Sequence, residues 1–314
     1  MTRGTLLYLG QRLVLVAFTA FAVSSIVFIG IHQLPGNAFL SDRRESPEAQ
    51  AALLHHYRLD LPWPTQYLIW VTGLLHGSMG ESLVNRGVQV TPLLLREASV
   101  SATLGACALL ITVGLGITLG VLASTYQNTW VDYLATTTAV VGYSMPNFVI
   151  ASLLVLLTVT GFYRWSGGTF YENIGWGKPE QVIVPAITLG FPFASYVARM
   201  TRASMLEVVR QDYVRTARAK GVKPFLIVIR HELRNAMIPV VTILGPLVTG
   251  ILTGSVVVES IFGIPGLGNE FVNSIITRDY NVVIGVFTFY AVLIGLANLA
   301  VDLIYPMLDP RIRY

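Results

Sequence analysis

Residues 13–31 read LVLVAFTAFAVSSIVFIGI, an apolar run that contains no charged residue. A helix that crosses a bilayer needs roughly 20 such residues, so this stretch is long enough to span a membrane. A secretory signal peptide is the alternative, because Arg3 and Arg12 precede the run. The apolar part of a signal peptide is shorter, about 7–15 residues, and ends at a small-residue cleavage site. Here the sequence HQLPGN follows at 32–37, which favours a retained anchor helix.

Five further stretches of the chain are as apolar as the first. Charged residues make up 12% of the 314 residues, about half the roughly 25% of a typical soluble domain, and hydrophobic residues make up 54%. This composition excludes a disordered chain and most soluble enzymes of this size. We therefore predict an all-α polytopic membrane protein with six transmembrane helices. The predicted spans cover about residues 10–31, 99–123, 134–160, 182–203, 236–261 and 282–306.

The distribution of basic residues predicts which side of the membrane each connection faces. An even number of spans places both termini on one side. The termini and the segment 199–234 together hold 13 of the 21 basic residues and only four of the acidic ones. The segments 32–98, 161–181 and 262–281 hold eight basic and ten acidic residues. Because cytoplasmic loops are enriched in Lys and Arg, we predict that both termini are cytoplasmic.

The segment 32–98, between the first two spans, is predicted to form an external cap with helices of its own. Residues 46–48 read SPE, which offers a helix N-cap, a proline at the first helical position and an acid in the first turn. A second helix is expected at Pro64–Leu75. We expect the cap to lie along the outer membrane surface and to pack on the spans; an ordinary loop is the alternative. The aromatic residues suited to the membrane interface are Trp63, Tyr67 and Trp70.

Ionisable residues are scarce within the predicted spans. Those present lie near span ends, which argues against a proton-coupled pump or a voltage sensor. The glycine pairs 116/120 and 250/254 have the four-residue spacing that allows helices to approach closely. The ionisable residues near span ends are Arg199, Arg202, Glu259 and Asp302.

Sequence motifs of membrane-embedded or nucleotide-dependent enzymes are also missing. The chain has no G-x-S-x-G, no H-E-x-x-H and no G-x-x-x-x-G-K-[ST], which argues against a protease or an ATPase. One cysteine, Cys107, allows no intrachain disulfide, and no histidine pattern suggests a metal site. We expect no catalytic residue and no metal in this chain, so the energy for any work must come from a partner.

The segment 199–239 is the most informative part of the chain. Ser204–Lys220 is predicted to be a helix that ends at Gly221, with Pro224 three residues further on as a stop signal. A second helix is predicted from Pro224 to Asn235. The positive-inside rule explains part of the basic charge, and binding of anionic lipid is a further contributing role. Nucleic-acid binding is not expected, because no aromatic residues are interleaved to stack bases.

The same segment carries a family resemblance. DYVRTARAKG at 212–221, followed by RHELRNAMIP at 230–239, resembles the "EAA" loop of bacterial ABC importer permeases, in their dipeptide/oligopeptide branch. The resemblance covers nearly the whole chain. The other similar stretches are LPGN at 34–37, LDLP at 59–62, QYL at 66–68, IVPAITL at 183–189, VESIF at 258–262, PGLG at 265–268 and DPRIR at 309–313.

The chain departs from the wider permease pattern at two points. The loop of that pattern opens Glu-Ala-Ala, whereas the matching positions here are Arg215, Thr216 and Ala217. The distance from Gly221 to Pro239 is also longer than in the wider pattern. Both departures resemble the peptide branch. Asn37 stands where that branch often has an acid.

The resemblance implies a non-catalytic pore subunit within a larger complex. Its implied partners are a second homologous permease subunit, two ABC ATPase subunits or domains, an extracytoplasmic binding protein and membrane lipid. ATP and Mg would be bound by the ATPases, with no cofactor in this chain. The helix ending at Gly221 would be the coupling helix that docks on an ATPase. The implied coupling residues are Asp212, Tyr213, Arg215, Thr216, Ala217, Arg218, Ala219, Lys220 and Gly221.

Peptides are the cargo that the resemblance implies, while the substrate-binding residues stay unassigned. Similar permeases carry nickel chelates or glutathione, and these remain alternatives. A stand-alone channel or membrane scaffold is the alternative from a different class. The expected domains are an anchor helix at 1–31, the cap at 32–98, a five-helix core at 99–306 with a coupling loop at about 204–235, and a cytoplasmic tail at 307–314.

Overall fold

The computed structural model describes residues 3–33, 47–166 and 174–308 of the chain. Within these ranges the secondary structure is helical, apart from one isolated antiparallel bridge between Glu81 and Gln89. The predicted all-α class is therefore confirmed. The helices are α1 Arg3–His32, α2 Pro47–His56, α3 Trp63–Leu75, α4 Val90–Thr125, α5 Trp130–Ser144, α6 Asn147–Leu156, α7 Phe162–Trp165, α8 Glu180–Val208, α9 Asp212–Ala219, α10 Pro224–Leu226, α11 Arg234–Phe262, α12 Leu267–Thr277 and α13 Tyr280–Leu308.

Each predicted span falls on a helix or helix pair that is apolar enough to cross a membrane. Five single helices in the described ranges meet this test: the spans Leu7–His32, Val90–Thr125, Glu180–Val208, Pro224–Leu252 and Tyr280–Leu303. The sixth is the pair α5 and α6, which qualifies only if the two helices count as one span. The LPGN and DPRIR stretches of the family resemblance, and Ser46 before α2, lie outside the described residues.

The third predicted span, 134–160, is not a single rod. Its two halves, Trp130–Ser144 and Asn147–Gly161, meet at an angle of 112°. Met145 has an extended backbone (φ −84°, ψ 131°) and Pro146 follows it. A residue before proline is disfavoured in the helical region, and proline has no N–H to continue the helix, so the break falls at this dipeptide. The predicted span therefore corresponds to two helices with a break between them, which count as one span only if they are taken together.

The second span begins earlier than its hydropathy indicates. Helix α4 starts at Val90, whereas the sequence predicted a start near residue 99. Arg96 and Glu97 interrupt the apolar run, which is why the prediction stopped short. Glu97 is nevertheless buried, with 5% of its surface exposed. Pro92 is tolerated because it lies in the first turn, where its missing N–H costs the helix nothing.

Residues 1–100 and 265–296 form the first of two compact units. The two cap helices predicted from the sequence are present as α2 and α3. Trp70 of α3 is buried in a cluster with Phe28 of α1 and Ile284 of α13. Helix α3 therefore packs on α1 and α13 within this unit.

The second compact unit consists of residues 101–264 and 297–314. Helix α4 approaches α8 closely at two glycines. A Cβ atom added to Gly116 would lie 2.6 Å from the Cβ of Val197, and one added to Gly120 would lie 2.5 Å from the Cβ of Thr201. The glycine spacing at 116/120 therefore corresponds to real close packing, as small residues provide in membrane helices.

Candidate functional site

The predicted coupling segment forms a helical hairpin, which we call the 212–235 hairpin. Its first arm is α9, which begins at Asp212 after Gln211 adopts an extended backbone (ψ 147°). The predicted single helix Ser204–Lys220 is wrong, because α8 ends at Val208 and α9 is a separate element. An acid in the first turn favours a helix start, so Asp212 was a signal that the prediction overlooked.

The turn between the two arms is closed at Gly221. Gly221 has φ +74°, in the left-handed region that glycine adopts without strain. Its N–H donates to the carbonyl of Arg218 at 3.0 Å, and the N–H of Val222 donates to that of Ala217 at 3.3 Å. These bonds satisfy carbonyls that the helix end would leave unpaired. The predicted glycine stop is confirmed.

The second arm begins at Pro224 and runs into the fifth span without a break. Pro224–Leu226 is α-helical, Ile227–Leu233 is a π-helical turn, and α11 continues from Arg234 to Phe262. The prediction that this helix ends at Asn235 is therefore wrong. Pro239, the nearest stop signal after Asn235, lies inside α11 and does not end it.

The two arms share a small apolar core. Val214 and Ala217 of α9 pack with Ile227 of the second arm, and Val208 and Val222 border them. Ala217 is 7% exposed, so it joins the arms and does not face outwards. The remaining predicted coupling residues are exposed to solvent. They are Asp212, Tyr213, Arg215, Thr216, Arg218, Ala219, Lys220 and Gly221, all exposed.

Two polar contacts also join the arms. The Arg218 guanidinium (Nη2) lies 3.0 Å from Oε1 of Glu232. The Glu232 side chain is 3% exposed and that of Arg218 is 54% exposed. Asn235 Nδ2 donates to the Tyr213 hydroxyl at 2.7 Å. The sequence placed Glu232 and Asn235 in the right segment but gave no sign of these contacts, because they depend on how the arms pair.

A further ion pair in the second unit ties α5 to α8. Arg202 donates through Nε and Nη2 to the two carboxylate oxygens of Asp132, both at 2.8 Å. The Asp132 side chain is 5% exposed. Arg199, one turn away, stacks over the Tyr143 ring at 4.3 Å. The pair places the 124–132 connection and the end of α8 at the same end of this unit.

No group of three or more candidate metal ligands occurs among the described residues. What the hairpin offers is an exposed polar helix on a rigid two-arm support, joined directly to a membrane span. Such an element can bind another protein and move with it, and it carries no constellation suited to catalysis.

Comparison with known proteins agrees with this architecture. The family described as "Binding-protein-dependent transport system inner membrane component" matches residues 116–314. The dipeptide transport system permease protein DppB of Bacillus subtilis (strain 168) is 39% identical over 306 residues, which is 98% of this chain and 97% of that protein. The oligopeptide transport system permease protein OppB of Escherichia coli (strain K12) is 37% identical over 298 residues, 94% of this chain and 95% of that protein.

Solved structures show the same fold at lower identity. A chain of the MetNI methionine ABC transporter, in an inward-facing conformation, superposes with a TM-score of 0.56 at 19% identity, covering 69% of this chain and 96% of that one. A chain of an amino acid ABC transporter with histidines gives a TM-score of 0.51 at 17% identity, covering 71% and 95%.

The fold and the relatives define a membrane-spanning permease subunit of an ABC importer, a non-catalytic component. The chain belongs to the family of binding-protein-dependent transport system inner membrane components. The alternative of a stand-alone channel or scaffold is set aside by this membership, and the predicted family is confirmed.

Proposed function

We propose that the chain forms half of the translocation pore of an ATP-driven importer of dipeptides or oligopeptides. Relatives named as dipeptide and oligopeptide permeases match it over nearly its full length, which supports peptides as the cargo. A binding protein on the outer side delivers the peptide, and a second related permease supplies the other half of the pore. Nickel chelates and glutathione are the cargoes to test against peptides.

The 212–235 hairpin is the proposed contact with the ATPases, which bind ATP and Mg on the cytoplasmic side. One observation carries this assignment: the second arm continues from Pro224 into α11, so no flexible joint separates the hairpin from the span. A displacement of α9 by a closing ATPase pair would therefore reach the span as a movement of one connected element. In this arrangement both chain termini lie in the cytoplasm.

The exposed surface of the hairpin has the mixed character of a docking site. Arg215 and Lys220 lie on the polar face of α9, and Phe225 at the start of the second arm is 71% exposed. Interfaces of this kind combine an aromatic anchor with arginine contacts and a polar rim. Ala219 and Gly221 carry no bulky side chain at the C-terminal end of α9, so a partner protein can approach the backbone there.

The substitution Gly221→Asp tests the docking role. A Cβ added at Gly221 meets nothing within 4 Å, so the variant adds charge and backbone strain at φ +74° without a clash inside the hairpin. We expect uptake of a labelled dipeptide into vesicles containing the whole transporter to fall at least tenfold, with membrane insertion unchanged. Co-purification of the ATPases should fall in parallel.

Two further variants separate the effect of the added charge from that of backbone strain, and the hairpin from other parts of the chain. Gly221→Asn has a similar shape and no charge, so an intermediate loss of uptake would assign part of the effect to charge. Gly87→Asp introduces the same residue at a comparable backbone angle (φ +81°) outside the hairpin, and it should leave ATPase binding intact. Normal uptake and normal ATPase binding by Gly221→Asp would remove the coupling role from this hairpin.

A further inference from the structure

The second compact unit contains a cavity of about 240 Å³ that the transport mechanism above does not use. Its walls come from α4, α5 and α8. The volume is below the roughly 300–1,000 Å³ of a closed ligand pocket, so the cavity can hold only part of a larger ligand. Most of its lining is apolar and consists of Leu119, Ala123, Ala135, Ala139 and Ala198.

Arg199 gives the cavity a positive charge that no acid neutralises within the described ranges. The carbon of its guanidinium lies 4.3 Å from the ring centre of Tyr143 and 5.7 Å from that of Tyr196. None of the ion pairs among the described residues includes Arg199. Stacking uses the flat face of a guanidinium and leaves the N–H groups at its edge able to donate. The two rings therefore hold Arg199 in place while its N–H groups stay available to an anion.

Arg202, the second cation at the cavity, is already balanced. It donates to both carboxylate oxygens of Asp132. The same carboxylate accepts the N–H of Asn128 at 3.0 Å and the hydroxyl of Thr136 at 3.1 Å. The two arginines and Asp132 together carry two positive charges and one negative, a net charge of +1. A ligand group with a single negative charge would neutralise it.

Three exposed aromatic residues mark the depth of this end of the unit in the membrane. Tyr126, Trp130 and Tyr133 are 51%, 74% and 66% exposed, and Asp132 lies between the last two in the sequence. Tyrosine and tryptophan concentrate at the membrane–water interface, at the level of the lipid headgroups. The ion pair of Asp132 with Arg202 therefore lies near the phosphates of the bilayer. Long arginine side chains reach that level from positions further inside a span.

The apolar walls favour a lipid over a peptide. The alanine and leucine side chains offer no hydrogen-bonding groups, and the hydroxyl of Thr136 is bonded to Asp132. A peptide would bring backbone amide groups that find no partners against such walls, and burying them unpaired is costly. An acyl chain has no polar groups to satisfy. The cavity therefore suits a ligand with one anionic group and an apolar remainder.

We propose that this cavity binds a phospholipid with one net negative charge, such as phosphatidylglycerol. The phosphodiester accepts hydrogen bonds from the Arg199 guanidinium. The part of the lipid next to the headgroup fills the apolar cavity, and the rest of its chains stays in the bilayer. Basic pockets between membrane helices suit the headgroups of anionic lipids in this way. The site involves neither the cargo nor the 212–235 hairpin.

Native mass spectrometry of the full chain, purified and delipidated in detergent, tests the proposal with two lipids as probes. Phosphatidylglycerol and phosphatidylcholine both contain a phosphodiester, but phosphatidylcholine also carries a cation and has no net charge. One phosphatidylglycerol should bind about tenfold more tightly than phosphatidylcholine, because only its charge matches that of the cavity. Equal binding of the two lipids would overturn the proposal.

Substitutions of one arginine assign the site. Arg199→Gln removes the charge and should weaken phosphatidylglycerol binding about tenfold, whereas Arg199→Lys keeps the charge without the flat fork and should lose less. Arg210→Gln is the matched control, since Arg210 is exposed, follows α8 and does not line the cavity. Unchanged binding in Arg199→Gln, or an equal loss in Arg210→Gln, would overturn the assignment.

Two competitors and the assembled transporter test the other possible occupants. Inorganic phosphate and dialanine, each at about 10 mM, should leave phosphatidylglycerol bound, because neither fills the apolar walls. Displacement by phosphate would identify a site for a free anion, and displacement by dialanine a site for a peptide carboxylate. The whole transporter should retain the lipid, and its loss on assembly would show that a partner subunit occupies the cavity. Each of these three results would overturn the proposal.

Discussion

Two regions of the molecule are organised around a buried carboxylate, and they use it differently. In the 212–235 hairpin, Glu232 pairs with one cation, Arg218, which is only 14 positions away in sequence and half-exposed. In the first unit, Asp279 accepts the Ser82 hydroxyl and the backbone N–H groups of Leu83 (3.1 Å) and Val84 (3.3 Å). Those donors are 195–197 positions away.

The difference lies in how many bonds hold each carboxylate and how far solvent reaches them. A single bond to a half-exposed guanidinium is weakened by solvent, so the contact of Glu232 with Arg218 contributes only modestly to stability. The bonds that Asp279 accepts from the Ser82 hydroxyl and the Leu83 N–H are buried, so their loss would leave buried donors unpaired. Asp279 therefore fixes the 82–84 segment to the start of α13 through several bonds, whereas Glu232 joins the two arms of the hairpin through one ion pair.

The largest effect is expected from Asp279→Asn. The amide group keeps the size of the carboxylate but points a donor at donors, so we expect a loss of about 3 kcal/mol in the free energy of unfolding. Thermal unfolding of the detergent-purified protein measures it. Asp60→Asn, at an exposed acid in the same unit, should change stability by less than about 0.5 kcal/mol. Equal stability of the two variants would remove the contrast between the regions.

A smaller effect is expected from Arg218→Ala in the hairpin. Removing the guanidinium leaves the Glu232 carboxylate buried and unpaired, which we expect to cost about 1 kcal/mol after allowing for the exposure of Arg218. Faster amide hydrogen exchange in α9 measures the effect. The matched control is Arg215→Ala, whose pair with Asp212 spans 3.7 Å between side chains that are 71% and 97% exposed.

A double variant tests whether the effect of Arg218→Ala comes from its interaction with Glu232. Arg218→Ala combined with Glu232→Gln removes the uncompensated charge, so it should recover part of the protection that Arg218→Ala loses. Additive losses in the double variant would show that the two side chains do not interact. A loss in Arg215→Ala as large as that in Arg218→Ala would contradict the special role of the buried carboxylate.

The sequence predicted elements that depend on neighbouring residues. The cap helices α2 and α3 and the glycine stop at Gly221 follow from local propensity and were found where expected. The same reasoning could not find Asp279 with Ser82, or Asp132 with Arg202, because such pairs depend on how distant segments meet. The sequence reasoning also counted Ala217 among the coupling residues, although its side chain is buried between the two arms. A small residue in a short helix gives no sign of whether its side chain is buried or exposed.

The errors in the predicted span boundaries arise because hydropathy alone does not report backbone breaks or buried polar residues. Hydropathy reports where apolar residues occur and is insensitive to backbone breaks, so the 112° bend after Ser144 was read as part of one span. Pro146 is visible in the sequence, but whether a proline kinks a helix or ends it depends on the backbone before it, here the extended backbone of Met145. Polar residues that are buried, such as Glu97, likewise hide the true start of α4.

The smallest effect is expected at Glu270 of α12, beside the Asp279 cluster. Burial, and next the charge of Asp279, raise the pKa of Glu270 above its ordinary 4.5, while Arg96 lowers it. Because the folded state then holds the proton more tightly than the unfolded state, the stability contributed by Glu270 is complete below pH 4.5 and is lost as the pH rises through the raised pKa. Glu270→Gln removes this loss of stability. Its unfolding temperature should therefore exceed that of the wild type by an amount that grows as the pH rises from 4.5 to 7. The control Glu48→Gln, at an exposed acid, should follow the wild type at each pH. If the difference in unfolding temperature between Glu270→Gln and the wild type does not vary with pH, then burial and the charge of Asp279 do not raise the pKa of Glu270.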